Sequence, residues 1–303
     1  MRSRETPETF DRRTFLTTLG ASLGAAALGC ARGVARGGAD TTPAAGAVSA
    51  GVTPALGPVG LQLYTVRTEM QKSVDATLAR VARIGYKEVE FAGYFGKSPQ
   101  EIRALLDADG IRSPSTHIPI EVVRDQLDAT LDAAKTIGHE YVVVPWLPEN
   151  LRGTLDDWRR TAELLNRSGA AAQRAGLRLG YHNHDFEFRP VDGKLPYDVL
   201  LAETDPTLVV LEMDLYWATK AGQDPVAYFG RYPGRFHLVH VKDSKGAPEH
   251  RMTEVGSGTI DWRRIFSHRE QAGIRHYFVE HDQPADPFAS IEASYRYLAR
   301  LTV

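Results

Sequence analysis

The chain has 303 residues, 43% of them hydrophobic, which is enough apolar material for one large domain or two ordinary ones. Lys and Arg total 36 against 38 Asp and Glu, so the chain lacks the excess of positive charge that is typical of nucleic-acid-binding proteins. The single cysteine, Cys30, excludes an intrachain disulfide bond and a metal site built from several cysteines. No stretch beyond residue 40 is long and apolar enough to span a bilayer.

Residues 1–30 have the features of an export signal. Arg12-Arg13 precedes a short run rich in Ala, Gly and Leu, and this arrangement resembles a twin-arginine signal. Residues 27–30 (Ala-Leu-Gly-Cys) resemble a bacterial lipobox, which implies lipidation of Cys30. The alternative is an Ala-rich amphipathic helix with a chance cysteine. We therefore expect an extracytoplasmic, periplasmic protein, with Cys30 as the candidate point of attachment to the membrane surface.

Residues 31–57 form a predicted flexible tether. They consist largely of Ala, Gly, Thr and Pro with hardly any large apolar side chains, so they cannot build a core. The pattern changes at residue 58, where regular hydrophobic periodicity begins. We therefore place the folded domain at residues 58–303.

In this domain, predicted strands and helices alternate. The predicted strands are Val59–Tyr64, Glu88–Phe91, Ile111–His117, Tyr141–Val144, Leu177–His184, Leu208–Asp214, Phe236–Lys242 and Tyr277–Glu280. The predicted helices are Val74–Ile84, Ser98–Ala108, Glu121–Thr136, Leu155–Ala175, Tyr197–Glu203, Asp224–Phe229, Asp261–Ala272 and Pro287–Leu301. Eight such units over about 245 residues, without a glycine-rich phosphate loop, favour a single (β/α)8 TIM barrel over a doubly wound open sheet.

The last four predicted strands each end in residues that can bind a divalent metal ion. The C-terminal ends of all barrel strands meet on one rim, so residues distant in sequence come together there. Imidazole and carboxylate groups at such a rim are ligands for borderline first-row ions. We therefore assign one divalent ion, with Mn, Co, Zn and Mg as candidates, to four ligands: His182, Asp214, His240 and Glu280.

Alternation along the strands places further polar groups beside these ligands. His184 shares a strand face with His182, and Lys242 shares one with His240, so His184 and Lys242 are candidate acid/base groups. Glu212 lies one layer deeper than the rim, where an ion pair or a hydrogen bond is the alternative to binding the metal ion.

The order of these motifs resembles the xylose isomerase-like TIM-barrel superfamily of sugar isomerases and epimerases, over about residues 58–302. The superfamily also includes inosose dehydratases, hydroxypyruvate isomerases and endonuclease IV. The residues that carry the resemblance are Gly60–Tyr64, Val89-Glu90, His117, His182–His184, Asp214, His240–Asp243 and Val279-Glu280. The resemblance implies that His117 and Glu90 contact the substrate. Trp146 and Trp217 are candidates to face the C–H surfaces of a sugar, with ordinary packing at the rim as the alternative.

Two departures from the family pattern bear on the chemistry. The epimerases hold their ion with Glu, Asp, His and Glu, and His182 stands where the first glutamate is expected. Those two glutamates share the proton transfer, so the resemblance leaves Glu280, with His184, Lys242 or a metal-bound water as the second group. The Asp-x-x-His motif of endonuclease IV becomes Asp214-Leu-Tyr-Trp217, which argues against a three-zinc nuclease site.

The resemblance implies an enzyme in which Glu280 removes a proton beside a carbonyl and the ion stabilises the developing charge. Isomerisation or epimerisation of a non-phosphorylated sugar or keto-sugar is the main expectation, because an exported enzyme meets few sugar phosphates. The alternative is a lyase that eliminates water from an inosose or the aglycone from a 3-keto-glycoside. An alternative of another class is a non-catalytic, lipid-anchored sugar-binding protein.

Replacing both Arg12 and Arg13 with lysine should retain the precursor in the cytoplasm, because the export pathway recognises the arginine pair. Cell fractionation followed by immunoblotting measures the distribution. The Cys30→Ser variant is the matched test of the lipobox and should be exported but released from the membrane. Undiminished export of the double-lysine variant would contradict the twin-arginine assignment.

Overall fold

The computed structural model describes residues 56–303, in which eight parallel strands close into a barrel. Each strand pairs with its sequence neighbours, and β1 closes the barrel by pairing with β8. The strands are β1 Gly60–Gln62, β2 Glu88–Phe91, β3 Arg112–His117, β4 Tyr141–Val144, β5 Arg178–His182, β6 Val209–Asp214, β7 Phe236–Val241 and β8 His276–Val279. The predicted (β/α)8 barrel is confirmed.

Helices surround the strands and begin at recognisable caps. The side chains of Ser98 and Thr154 each accept a hydrogen bond from the third residue of their helix, within complete capping boxes. Gly110, with φ of 62°, ends the helix that Ser98 begins. The α-helices are Arg67–Lys72, Val74–Ile84, Pro99–Asp109, Ile120–Asp125, Leu127–Ile137, Leu155–Arg174, Pro196–Glu203, Leu215–Lys220, Pro225–Arg231, Trp262–Ser267, Arg269–Ala272 and Pro287–Leu298, and the 3₁₀ turns are Leu63–Val66, Glu149–Leu151 and Phe186–Phe188.

The structure differs from the predicted helices at four places. The predicted helix Glu121–Thr136 divides at Gln126, whose φ of −142° is not helical. The predicted helix Asp261–Ala272 divides at His268. The short helices Arg67–Lys72 and Leu215–Lys220 were not predicted, because six residues are too few to show a helical period. The second of these begins directly after β6, where the Asp214 side chain accepts a hydrogen bond from the backbone N–H of Trp217.

The inside of the barrel is filled by an apolar layer. It consists of Tyr141, Val143, Val210, Leu238 and Phe278, all at most 2% exposed. Two positions further along three of these strands, the inward residue becomes polar, and these residues are Glu212, His240 and Glu280. The polar groups at the C-terminal ends of the strands therefore lie directly above this apolar layer, which we call the apolar floor.

The predicted export signal at 1–30, with Cys30, and most of the predicted tether lie outside the described residues. The described chain begins just before β1, at Leu56. Within residues 56–303, no helix is both long and apolar enough to cross a membrane.

Asp243 organises the loop that follows β7. It is fully buried and belongs to a small antiparallel sheet that pairs Asp243–Ser244 with Met252–Thr253. Its carboxylate accepts five hydrogen bonds of 2.8–3.2 Å, from the backbone N–H groups of Ser244, Gly256, Gly258 and Ile260 and from the indole N–H of Trp262. A Cβ atom at Gly258 would collide with this carboxylate, so the close approach requires glycine.

The Asp243→Asn variant should lose about 2–4 kcal/mol of unfolding free energy, because an amide NH₂ group would face buried N–H donors that need an acceptor. Urea denaturation followed by circular dichroism measures this change. The exposed Asp192→Asn variant is the control and should stay within about 0.5 kcal/mol of wild type. An equally small change in Asp243→Asn would show that the loop does not depend on this carboxylate.

Candidate metal centre and active site

Four buried side chains meet at the C-terminal ends of β5 to β8, and we call them the rim cluster: His182, Asp214, His240 and Glu280. Their ligand atoms all lie within 4.8 Å of one another, and the residues are 0–6% exposed. His182 Nε2 lies 3.4 Å from Asp214 Oδ2, and His240 Nδ1 lies 2.7 Å from Glu280 Oε2. The structure therefore brings together the four residues that the sequence predicted as metal ligands.

The rim cluster fits a divalent ion. His182 Nε2 and Asp214 Oδ2 are buried and form no well-directed hydrogen bond with any described residue, although Lys242 Nζ lies 3.1 Å from Asp214 Oδ2, and leaving such atoms unpaired is costly. A cation between them would satisfy both. The other ring nitrogen, His182 Nδ1, lies 3.2 Å from the carbonyl oxygen of Pro145, a contact of the kind that fixes the ring of a ligating histidine.

Lys242 lies beside this cluster as a buried cation. Its Nζ lies 2.7 Å from Glu280 Oε2, 2.8 Å from Asp282 Oδ1 and 3.1 Å from Asp214 Oδ2. Burial opposes the charge, but Asp214, Asp282 and Glu280 raise the pKa of Lys242 well above its usual value. Burial likewise opposes the charge of Glu280, yet Lys242 and then His240 hold the pKa of that carboxyl well below its usual range. Glu280 is therefore a carboxylate next to an ammonium group.

A second polar group, the deep cluster, lies beneath the rim and consists of Glu90, His117, Glu212 and His240. Glu90 Oε2 lies 2.7 Å from His240 Nε2 and 3.1 Å from His117 Nε2. Glu212 Oε2 lies 2.7 Å from His117 Nε2 and 3.3 Å from His240 Nε2. Burial opposes the charge of His117, but Glu90 and Glu212 raise its pKa to about 9. Glu212 thus lies one layer below the rim, as predicted, and contacts His117 there.

The positions of Glu90 and His117 refine their predicted roles. Glu90 has no exposed surface and also accepts a hydrogen bond of 2.6 Å from Gln62 Nε2. Because Glu90 lies behind the imidazole of His240, it is better placed to orient that ring than to make the predicted contact with a substrate. His117 is 5% exposed and its ring centroid lies 5.3 Å from that of His182, so it lies beneath the rim cluster.

His184 and Trp217 flank the rim cluster. The His184 ring centroid lies 5.0 Å from that of His182 and 5.6 Å from that of Trp217. Burial, reinforced by His182 and Lys242, lowers the pKa of His184 well below its usual value, so its imidazole is neutral. His184 Nδ1 and Trp217 Nε1 are buried and unpaired among the described residues. Both side chains are therefore placed to meet a substrate.

Trp146 lies one step further from the ligands. It is half-buried, and its ring centroid lies 5.3 Å from the guanidinium carbon of Arg152. Arg152 also stacks 3.7 Å from the ring centroid of Phe186, whose ring stacks on His184. Trp146 is thus connected to the rim cluster through three intervening side chains, Arg152, Phe186 and His184. Trp217 adjoins the cluster, because its backbone N–H donates to Asp214.

Glu187 is a buried acid that the sequence patterns did not single out. It accepts hydrogen bonds from the Tyr181 hydroxyl at 2.7 Å and from the backbone N–H of His184 at 2.8 Å. Burial raises the pKa of Glu187 to about 8. Its sequence signal is a lone charge between Phe186 and Phe188, which face the protein interior. Glu187 therefore fixes the turn that carries His184.

The Glu187→Gln variant should change how stability depends on pH. Folded wild type keeps the proton on Glu187 up to about pH 8, while the unfolded chain releases it near the ordinary pKa of 4.5. The folded state then binds more protons, so wild-type stability falls as pH rises through this window, by up to about 1.4 kcal/mol per pH unit. The neutral Gln side chain removes this contribution.

Urea denaturation between pH 4.5 and pH 8 measures the difference between Glu187→Gln and wild type. The free energy of unfolding of the variant, relative to that of wild type, should increase with pH across this window and then level off. The exposed Glu203→Gln variant controls for the loss of a carboxylate. A difference that stays constant across the window would refute the assignment of a protonated Glu187.

A closed (β/α)8 barrel with buried imidazole and carboxylate groups at the C-terminal ends of its strands defines the class of metal-binding barrel enzymes. Residues 78–301 match the family described as xylose isomerase-like TIM barrel, and the chain belongs to this family. The family predicted from the sequence is therefore confirmed.

Curated relatives include inosose dehydratases. The one from Lacticaseibacillus casei is 26% identical over 272 residues, covering 76% of this chain and 91% of the relative. The one from Clostridium beijerinckii is 23% identical and covers 77% of this chain and 91% of the relative. Most of each relative is thus represented in this chain.

Solved structures with the same fold include a sugar phosphate isomerase/epimerase from Parabacteroides distasonis. It is 28% identical with a TM-score of 0.72, covering 84% of this chain and 96% of the other. The IOLI protein with a bound zinc atom is 14% identical with a TM-score of 0.63, covering 79% of this chain and 95% of the other, and shows the fold alone.

Proposed function

We propose that the protein is a metal-dependent lyase that removes the proton beside a carbonyl and expels the oxygen substituent on the next carbon. The observation that carries this proposal is the contact between one carboxylate and one ammonium group: Glu280 Oε2 and Lys242 Nζ lie 2.7 Å apart. The substrate class is a keto-cyclitol such as an inosose, or a 3-keto-glycoside. Isomerisation or epimerisation, the main expectation from the sequence, becomes the second candidate.

The positions of the acid/base groups favour elimination, because Glu280 and Lys242 are direct neighbours and so lie on the same side of the site. An epimerase needs a proton donor and a proton acceptor on opposite faces of the reacting carbon. His182 occupies the position from which a second carboxylate would act, and its two nitrogens face Pro145 and Asp214. An elimination needs one base for the C–H proton and one acid for the leaving oxygen, and neighbouring groups can serve both purposes.

His182, Asp214, His240 and Glu280 would hold the divalent ion. When bound, the ion would supply Lewis-acid stabilisation of the negative charge that develops on the carbonyl oxygen. Glu280 could hold the ion and act as a base at the same time, because its two carboxylate oxygens have different surroundings. Oε2 contacts His240 and Lys242, whereas Oε1 makes neither contact.

The proton transfers balance within the Glu280–Lys242 pair. Glu280 takes the proton from carbon, a carbon–carbon double bond forms, and the carbon–oxygen bond on the next carbon breaks. Lys242 gives a proton to the leaving oxygen, so that water or an alcohol departs. The pair then holds a neutral acid and a neutral amine 2.7 Å apart, and one proton passing from Glu280 to Lys242 restores the starting state.

The relatives support this reaction class, since the curated proteins similar to most of the chain are inosose dehydratases. An inosose is a ketone, and its dehydration is an elimination of the proposed kind. The solved isomerase/epimerase structure at 28% identity is the observation that favours the second candidate. We also propose a non-phosphorylated substrate, on the ground that residues 1–30 resemble an export signal.

Glu280→Gln should slow the reaction by about 10²–10⁴, because the amide keeps an oxygen for the ion but cannot take the proton. The assay incubates metal-loaded protein in D₂O with an inosose, a 3-keto-glucoside and free keto-sugars. Mass spectrometry and NMR follow loss of water or aglycone and deuterium uptake. The exposed Glu203→Gln variant is the control and should match wild type.

The outcomes separate the candidate functions. Loss of the substituent supports the lyase, whereas deuterium uptake with isomerised product and no loss supports the isomerase. Binding without exchange supports the sugar-binding protein. If Glu280→Gln keeps its ion and reacts at the wild-type rate, the base is another group, and His184 is the next to replace.

A further inference from the structure

The deep cluster contains no permanent cation, whereas Lys242 provides one at the rim cluster. Asp214 and Glu280 at the rim have the ammonium group of Lys242 within 3.1 Å. Among the described residues, Glu90 and Glu212 form ion pairs only with the imidazoles of His117 and His240. Only protons on these two imidazoles can therefore balance the two carboxylates in the closed interior of the barrel, unless a metal ion takes their place. Burying such charges without a partner is strongly unfavourable.

Two further atoms in this cluster lack partners. Glu90 Oε1 and Glu212 Oε1 are buried and accept no hydrogen bond from any described residue. Both carboxylates are 0% exposed, so bulk water does not reach them. Each glutamate therefore has one oxygen directed at imidazoles and one oxygen without a donor.

The four inward atoms have the spacing of ligands around one ion. Following the cluster around, Glu90 Oε2, His240 Nε2, Glu212 Oε2 and His117 Nε2 are separated by 2.7, 3.3, 2.7 and 3.1 Å. Two ligand atoms that each lie about 2.1 Å from one first-row ion stand about 3–3.4 Å apart for bond angles between a right angle and the tetrahedral angle, so the two 2.7 Å separations widen slightly when an ion enters. Two imidazoles and two carboxylates form a donor set that suits Zn, Co, Ni or Fe.

We propose that Glu90, His117, Glu212 and His240 form a second binding site for a divalent first-row metal ion, beneath the rim cluster. An ion with two positive charges neutralises the two carboxylates. The two sites share His240, which presents Nδ1 to Glu280 at the rim and Nε2 to Glu90 below.

The barrel contains a matched comparison for this proposal. Glu88 and His276 also form a buried pair, with Glu88 Oε2 2.8 Å from His276 Nδ1. Glu88 has Arg112 as a permanent cationic partner, with 2.6 Å between Arg112 Nη2 and Glu88 Oε1. Its charge is compensated without an ion, and it belongs to neither cluster. Glu88→Gln therefore removes a buried Glu–His pair from the same barrel without touching a proposed ligand.

The test titrates chelator-treated protein with Co²⁺ at mildly alkaline pH, following visible d–d absorption and elemental analysis. Wild type and Glu88→Gln should bind two ions per chain. Glu212→Gln should bind one ion, retained at the rim, and Asp214→Asn should bind one ion, retained in the deep cluster.

The wild-type stoichiometry decides the proposal even if a variant does not fold, which circular dichroism reports. One Co²⁺ per wild-type chain would overturn it and leave the deep cluster as a network of protonated imidazoles. Two ions in wild type and in folded Glu212→Gln would overturn it as well, because the second ion would then lie elsewhere. Failure of the rim assignment is separate, since it would show as unchanged binding in Asp214→Asn.

Discussion

Both polar clusters depend on the contacts of one side chain, the imidazole of His240. Its two nitrogens lie 2.7 Å from carboxylates in opposite directions, Glu280 at the rim and Glu90 below. The ring is 0% exposed and stands above the apolar floor that includes Leu238, so its orientation is set from three sides. A change that rotates this ring therefore alters the rim cluster and the deep cluster together, and neither can be adjusted through this ring without the other.

Much of this arrangement follows from strand alternation, which is why the sequence predicted it. Asp214, His240 and Glu280 end runs of buried apolar residues, and barrel closure converts three distant strand ends into one rim. Alternation also placed Glu212 one layer deeper. These predictions needed only the strand period and the direction of the chain, both of which are local properties.

The features that the sequence did not predict depend on contacts between distant segments. Gln126 and His268 interrupt helices whose hydrophobic pattern is continuous, so the pattern alone does not mark the breaks. Glu187 becomes a support for His184 only because the turn folds back on Tyr181. Lys242 was predicted to point toward the rim, but its position between three carboxylates depends on the closed barrel. That position is also the ground on which we propose elimination rather than isomerisation.

The hydrogen bonds to Asp243 have a consequence for how this protein can diversify. The carboxylate holds residues 256–262 from one side, and the short sheet of Asp243–Ser244 with Met252–Thr253 closes the preceding segment. The tip between Ser244 and Met252 is thus held at both ends, and the hydrogen-bonded Asp243 directly follows Lys242 in the chain. Insertions or exchanges at this tip can therefore leave Lys242 in place. The tip is a segment in which the sequence can vary without moving the rim cluster.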